Sequence, residues 1–124
     1  MRKVLVVDDN QPSRELVVDI LRPLSLAVVE APDGAAALAA ARDMKPDLVI
    51  LDLSMPDMDG FAVLDELRQD PDFAGTPVVA LTANAMPGER SKALQAGFAD
   101  FLTKPVRSAE LRRRVEAFLE GARG

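Results

Sequence analysis

Short apolar runs alternate with segments of helical spacing from one end of the chain to the other. The runs fall at Lys3–Val7, Leu26–Glu30, Leu48–Leu51, Val78–Leu81 and Phe98–Thr103. The third is apolar at every position, which predicts a strand buried on both faces of a sheet. Between the runs, apolar residues recur with the period of a helix. Val17, Ile20, Leu21 and Leu24 stand at i, i+3, i+4 and i+7, and Pro23 marks the end of that segment. The second helical segment runs from Asp33, an N-cap residue type, to Asp43. The third opens at Gly60 and carries Phe61, Leu64 and Leu67. The fourth opens near Pro87, whose fixed φ suits a first turn, and stops before Gly97. The fifth is capped by Ser108 and sets Leu111, Val115, Phe118 and Leu119 on one side. Strict alternation of strand and helix implies right-handed crossovers and an α/β fold, with a parallel sheet covered on both faces. One domain is expected over residues 1–124, with a core from Lys3 to Glu120 and a frayed tail at Gly121–Gly124.

Open parallel sheets take ligands outside the carboxyl ends of their strands, so the residues just past each run carry the chemistry. The first run is followed by Asp8 and Asp9, the third by Asp52, the fourth by Thr82 and the fifth by Lys104. The second ends in Glu30-Ala31-Pro32, without a comparable group, as expected of an edge strand. Three carboxylates brought together raise one another's pKa unless a cation neutralises them. Composition narrows the choice of cation. The chain has no histidine and no cysteine, so a divalent metal must be held by oxygen. Magnesium is the economical choice, because it needs only one or two carboxylates beside phosphate oxygens. Lys104 offers a point charge for a phosphoryl oxygen and Thr82 a hydroxyl donor. Phosphoryl transfer asks chiefly for positioning and charge neutralisation, and Asp52 supplies a carboxylate nucleophile. Each residue also has a plainer reading. Asp8 and Asp9, Asp52 or Thr82 could cap the helix that follows, and Lys104 could be a solvated turn residue.

The rest of the composition limits partners. The chain of 124 residues is 48% hydrophobic and 28% charged, the balance of an ordinary globular domain. A net charge of −5 disfavours nucleic acid as a partner. No apolar run approaches the length of a membrane span, and Met1-Arg2-Lys3 does not begin a signal peptide. No membrane partner is expected. The lack of cysteine fits a cytoplasmic location.

Together, these residues resemble the receiver domain of bacterial two-component response regulators, over nearly the whole chain from Val4 to Leu119. The resemblance rests on Val4-Leu5-Val6-Val7-Asp8-Asp9, on Leu51-Asp52-Leu53-Ser54-Met55-Pro56 with Asp59-Gly60, on Leu81-Thr82-Ala83 and on Lys104-Pro105. It implies a flavodoxin-like doubly wound fold, with five strands in the order 2-1-3-4-5 and five helices on both faces. It implies that Asp52 accepts a phosphoryl group from the phosphohistidine of a histidine kinase or histidine phosphotransfer protein. Asp9, Asp52 and the Ser54 carbonyl would hold magnesium, with Asp8 acting mainly through water. Thr82, the Ala83 amide and Lys104 would bind the phosphoryl oxygens, and the Lys104–Pro105 bond would be cis. Phe101 matches an aromatic that turns inward as the threonine moves; the alternative is a phenylalanine fixed in the core. Ser54 and Asn84 match positions that tune the lifetime of the acyl phosphate.

The resemblance also points to surfaces. Leu16 and Val18 lie roughly 90–110° from the apolar stripe of the first helix, at about 100° per residue. With Pro12, Ser13 and Pro105 they are candidate kinase contacts, or else scattered surface apolars. Arg112-Arg113-Arg114 reads as a solvated face, or as part of an output surface for a downstream protein target. Met1 and the tail favour a stand-alone, chemotaxis-regulator-like protein, while Asn84-Ala85-Met86-Pro87-Gly88 also suits a receiver within a hybrid kinase. Such a module modifies only itself and is not an enzyme with a separate substrate. Two other functions compete. One is a phosphatase with an aspartyl nucleophile, though the position two after Asp52 is Ser54 rather than an acid. The other is an interaction module that kept the fold without being phosphorylated.

Overall fold

A computed structural model of the chain describes residues 1–54, 59–83 and 86–121. Among them, strands β1 (Lys3–Val7), β2 (Ala27–Ala31), β3 (Leu48–Asp52), β4 (Val78–Thr82) and β5 (Asp100–Thr103) form one sheet. They alternate with helices α1 (Gln11–Leu21), α2 (Gly34–Met44), α3 (Gly60–Gln69), α4 (Glu89–Ala96) and α5 (Ser108–Gly121). The strand order is β2-β1-β3-β4-β5 and each adjacent pair is parallel, as expected.

The period of two along each central strand divides the core into two layers. Leu5, Val7, Val49, Leu51, Val78 and Ala80 face α2, α3 and α4. Val4, Val6, Leu48, Ile50, Val79 and Leu81 face α1 and α5. Each fully buried Leu, Ile or Val contributes about 1.5–3 kcal/mol by leaving water, so the sheet centre is a rigid base for whatever its strand ends carry.

The expected boundaries shift where a backbone hydrogen bond or a φ angle decides them. Strand β2 starts one residue later than the apolar run and reaches Ala31, whose carbonyl accepts the Asp8 N–H at 3.1 Å. Strand β5 starts at Asp100 rather than Phe98, because the Phe98 N–H is taken by the Ala93 carbonyl closing α4. Helix α4 opens at Glu89, not Pro87, since its N-cap Gly88 has φ +88° and cannot continue a right-handed helix. Ser108 is the first residue of α5 rather than its cap, and the Arg107 carbonyl accepts the Leu111 N–H. Leu24 falls in a 3₁₀ turn, Arg22–Leu24, that contains Pro23. Of the expected tail, Gly121 closes α5 and residues 122–124 lie outside the described residues.

Candidate functional site

Strand register assembles the site. Val7 is level with Leu51, Asp52 with Leu81 and Thr82 with Thr103. The next residue along β1 is therefore Asp8, beside Asp52, and the next along β5 is Lys104. Asp8 and Asp52 are only 1% and 2% exposed, while Asp9 is open to solvent. One carboxylate oxygen from each of the three lies within 4.8 Å of the others. The Lys104 ammonium bridges the buried pair, 2.9 Å from Asp8 Oδ2 and 3.1 Å from Asp52 Oδ2. The Lys104–Pro105 bond is cis, as the resemblance implied.

The helix caps decide against the plainer readings. The cap of α1 is Asn10, whose Oδ1 accepts the Ser13 N–H at 2.9 Å. Asp8 instead holds the cap residue, its Oδ1 accepting the Asn10 N–H at 2.9 Å. The N-caps of α3 and α4 are Asp59 and Gly88, not Asp52 and Thr82. Gly60 leaves room for the Leu53 side chain just past β3, since a Cβ there would meet Leu53 Cδ2 at 2.5 Å.

The two buried acids differ in their titration. Burial pushes Asp52 up and the Asp8 carboxylate adds to that, against hydrogen bonds from the Ser54 N–H and Lys104, so its pKa is raised. Asp8 feels burial too, but hydrogen bonds from the Asn10 N–H, Ser13 and Lys104 outweigh it and leave its pKa lowered. Burial alone would lower Lys104; its two carboxylate partners together raise it. The site therefore holds a charged ammonium, an ionised Asp8 and an Asp52 whose negative charge is poorly stabilised.

Ser54 connects the two remaining polar groups. Its Oγ lies 3.4 Å from Thr82 Oγ1 and accepts the Ala83 N–H at 3.3 Å. Asn84, Met55 and Pro56 lie outside the described residues. Phe101 is 5% exposed and belongs to the core layer beneath α3 and α4. Its ring is thus already inward, the position that the fixed-core alternative also gives it. On α1, Leu16 is 48% exposed, whereas Val18 packs partly against the second core layer. Arg114 is not simply solvated: it pairs with Asp100 and Glu110. Sequence reading missed Asn10 and Arg14. Arg14 donates from Nη1 to the Asp8 carbonyl and from Nε to Glu30 Oε1, both at 2.9 Å. A signal was present, because a cation near the start of a helix opposes the helix dipole and calls for a local partner.

Comparison with known proteins agrees with this geometry. The family model for the response regulator receiver domain matches residues 4–116. The chain belongs to that family. It is 39% identical over 115 residues to an uncharacterized 14.6 kDa protein of Leptolyngbya boryana, covering 93% of this chain and 88% of that one. It is 43% identical to the response regulator PleD of Caulobacter vibrioides over 116 residues, 93% of this chain but only 25% of PleD. Among solved structures, the receiver domain of the sensor histidine kinase PA1611 from Pseudomonas aeruginosa superposes with a TM-score of 0.86. It is 34% identical, with 96% of this chain and 98% of that one covered, and its active-site cleft coordinates a magnesium ion. Receiver domains bind magnesium at an acidic site, and the cluster of Asp8, Asp9 and Asp52 has the donors for it. Relatives that are response regulators and histidine kinases point to phosphorelay partners. Among the described residues, no helix is long and apolar enough to cross a membrane.

Proposed function

We propose that this receiver accepts a phosphoryl group on Asp52 from the phosphohistidine of a histidine kinase or phosphotransfer protein. The observation that supports it most is the single ammonium of Lys104 shared by two buried carboxylates, at 2.9 and 3.1 Å. A carboxylate oxygen of Asp52 attacks phosphorus. The new O–P bond forms as the N–P bond breaks, and the imidazole leaves with its nitrogen free to take a proton. Lys104 neutralises charge on the phosphoryl oxygens, and the Thr82 hydroxyl and Ala83 N–H donate to them. Both donors now gather around Ser54 Oγ, so Ser54 gives way as they turn to the phosphoryl group.

An all-oxygen set of three acids within 4.8 Å fits a hard divalent cation. Asp9, Asp52 and the Ser54 carbonyl would hold magnesium, with Asp8 acting through water. Bound there, it would supply positive charge that offsets the crowded carboxylates and the incoming phosphoryl oxygens. The partner docks beside the site, where Pro12, Ser13, Leu16 and Pro105 line a largely apolar hollow of about 430 Å³ next to Lys104. The response leaves through Thr82 and Phe101 toward a protein target at the face of α4, β5 and α5. With the Phe101 ring already buried, the response starts from movement of Thr82 and Ala83.

Incubation with acetyl phosphate and magnesium tests the reading. Wild type should gain one phosphoryl group by intact mass, and a chelator should prevent it. Labelling that survives Asp52→Asn removes Asp52 from its role, and sustained turnover of a generic phosphate ester favours a phosphatase.

A further inference from the structure

Arg14 lies on α1, outside the acidic cluster, yet its side chain is only 15% exposed. Its fork holds two groups at once. Nη1 donates to the Asp8 carbonyl and Nε pairs with Glu30 at the end of β2, both at 2.9 Å. The Asp8 N–H is also fixed, donating to the Ala31 carbonyl at 3.1 Å. The Asp8 carbonyl belongs to the peptide that joins Asp8 to Asp9. Asp9 is exposed, and among the described residues its carboxylate has no hydrogen-bond or ion-pair partner. Nothing but the backbone therefore aims Asp9 at the other acids, and Arg14 holds that backbone.

We infer that Arg14 is a positioning residue for the metal site, fixing the Asp8–Asp9 peptide so that Asp9 presents its carboxylate beside Asp52. This rests on the reading of the acidic cluster as a magnesium site. Groups that orient metal ligands from behind typically change affinity by about 10–100-fold when removed. The sign separates positioning from plain electrostatics. Arg14 is a cation near a cation site, so its charge alone opposes metal binding, and deleting it should tighten the complex. Positioning demands the reverse.

The test is magnesium binding to the folded protein by titration calorimetry, well below each variant's unfolding temperature. Arg14→Ala should weaken magnesium binding about tenfold. Arg14→Lys keeps the charge but lacks the planar fork that holds both partners, and should weaken it severalfold. Tighter or unchanged affinity in Arg14→Ala overturns the inference, even if thermal stability falls, because a merely structural residue lowers stability alone. If Arg14→Ala does not fold, unchanged affinity in Arg14→Lys overturns it equally. A wild type that binds no magnesium overturns the metal-site reading itself and the inference with it, whereas a wild type that binds beside unaffected variants removes only Arg14.

Discussion

Removing the Asp52 charge should make the metal-free protein more stable, although it deletes half of an ion-pair network. Lys104 lies 3.1 Å from Asp52 Oδ2, an attraction of about 5 kcal/mol at an effective dielectric constant near 20. The Asp8 carboxylate, with an oxygen within 4.8 Å, repels Asp52 by about 3.5 kcal/mol on the same scale. Burying a carboxylate to 2% exposure costs several kcal/mol more. Repulsion and desolvation together exceed the attraction, in keeping with the raised pKa of Asp52. An asparagine side chain in its place must turn one donor toward Lys104 or Ser54, which trims the gain. Asp52→Asn should therefore stabilise the protein by about 1 kcal/mol, a rise of roughly 3–5 °C in melting temperature for a domain of this size.

The chain has no tryptophan or tyrosine, so circular dichroism is the natural probe, in chelator at pH 7.5. The pH dependence has a definite sign. The folded pKa of Asp52 is raised above its ordinary 3.8, so folded wild type binds the extra proton and loses stability as pH rises through that window. The variant's advantage should be present above the raised value and vanish toward pH 3.8. Magnesium should reverse the order, because it stabilises wild type by mass action and the variant less. A variant less stable than wild type in chelator at pH 7.5 refutes the reasoning, since the Lys104 pair would then outweigh the crowding.

Other consequences follow from the same contacts. Lys104→Ala leaves the buried Asp8 and Asp52 without their shared cation and should cost about 3–5 kcal/mol at neutral pH in urea denaturation; phosphorylation should persist but no longer change binding to the downstream protein. Gly60→Ala puts a Cβ 2.5 Å from Leu53 Cδ2, the tip of a partly buried side chain that can swing aside, and should destabilise by about 1 kcal/mol in thermal melting. Asn10→Ala removes the α1 cap and should cost about 1 kcal/mol by thermal melting.

Much of this was legible in the chain itself because two periods were unobscured. Continuous apolar runs marked the central strands, and a stripe at Val17, Ile20 and Leu21 marked the face that α1 buries. The missing polar group after the second run correctly set β2 at an edge. The site followed from one rule, that ligands gather at the carboxyl ends of parallel strands. What escaped was set by tertiary hydrogen bonds. Phe98 is apolar and β-prone, yet its N–H closes a helix. Arg14 escaped because its partners, the Asp8 carbonyl just past β1 and Glu30 in β2, are brought to it only by the fold. The burial of Phe101 is set by the α3 and α4 face it packs on, which no local pattern encodes.

Reduction with borohydride offers the most direct test of phosphorylation at Asp52. Treated after labelling with acetyl phosphate and magnesium, an aspartyl phosphate becomes homoserine, which peptide mapping locates. The account predicts homoserine at position 52 and nowhere else. Homoserine at Asp8 or Asp9, or a phosphate recovered on a serine or threonine hydroxyl, would contradict it.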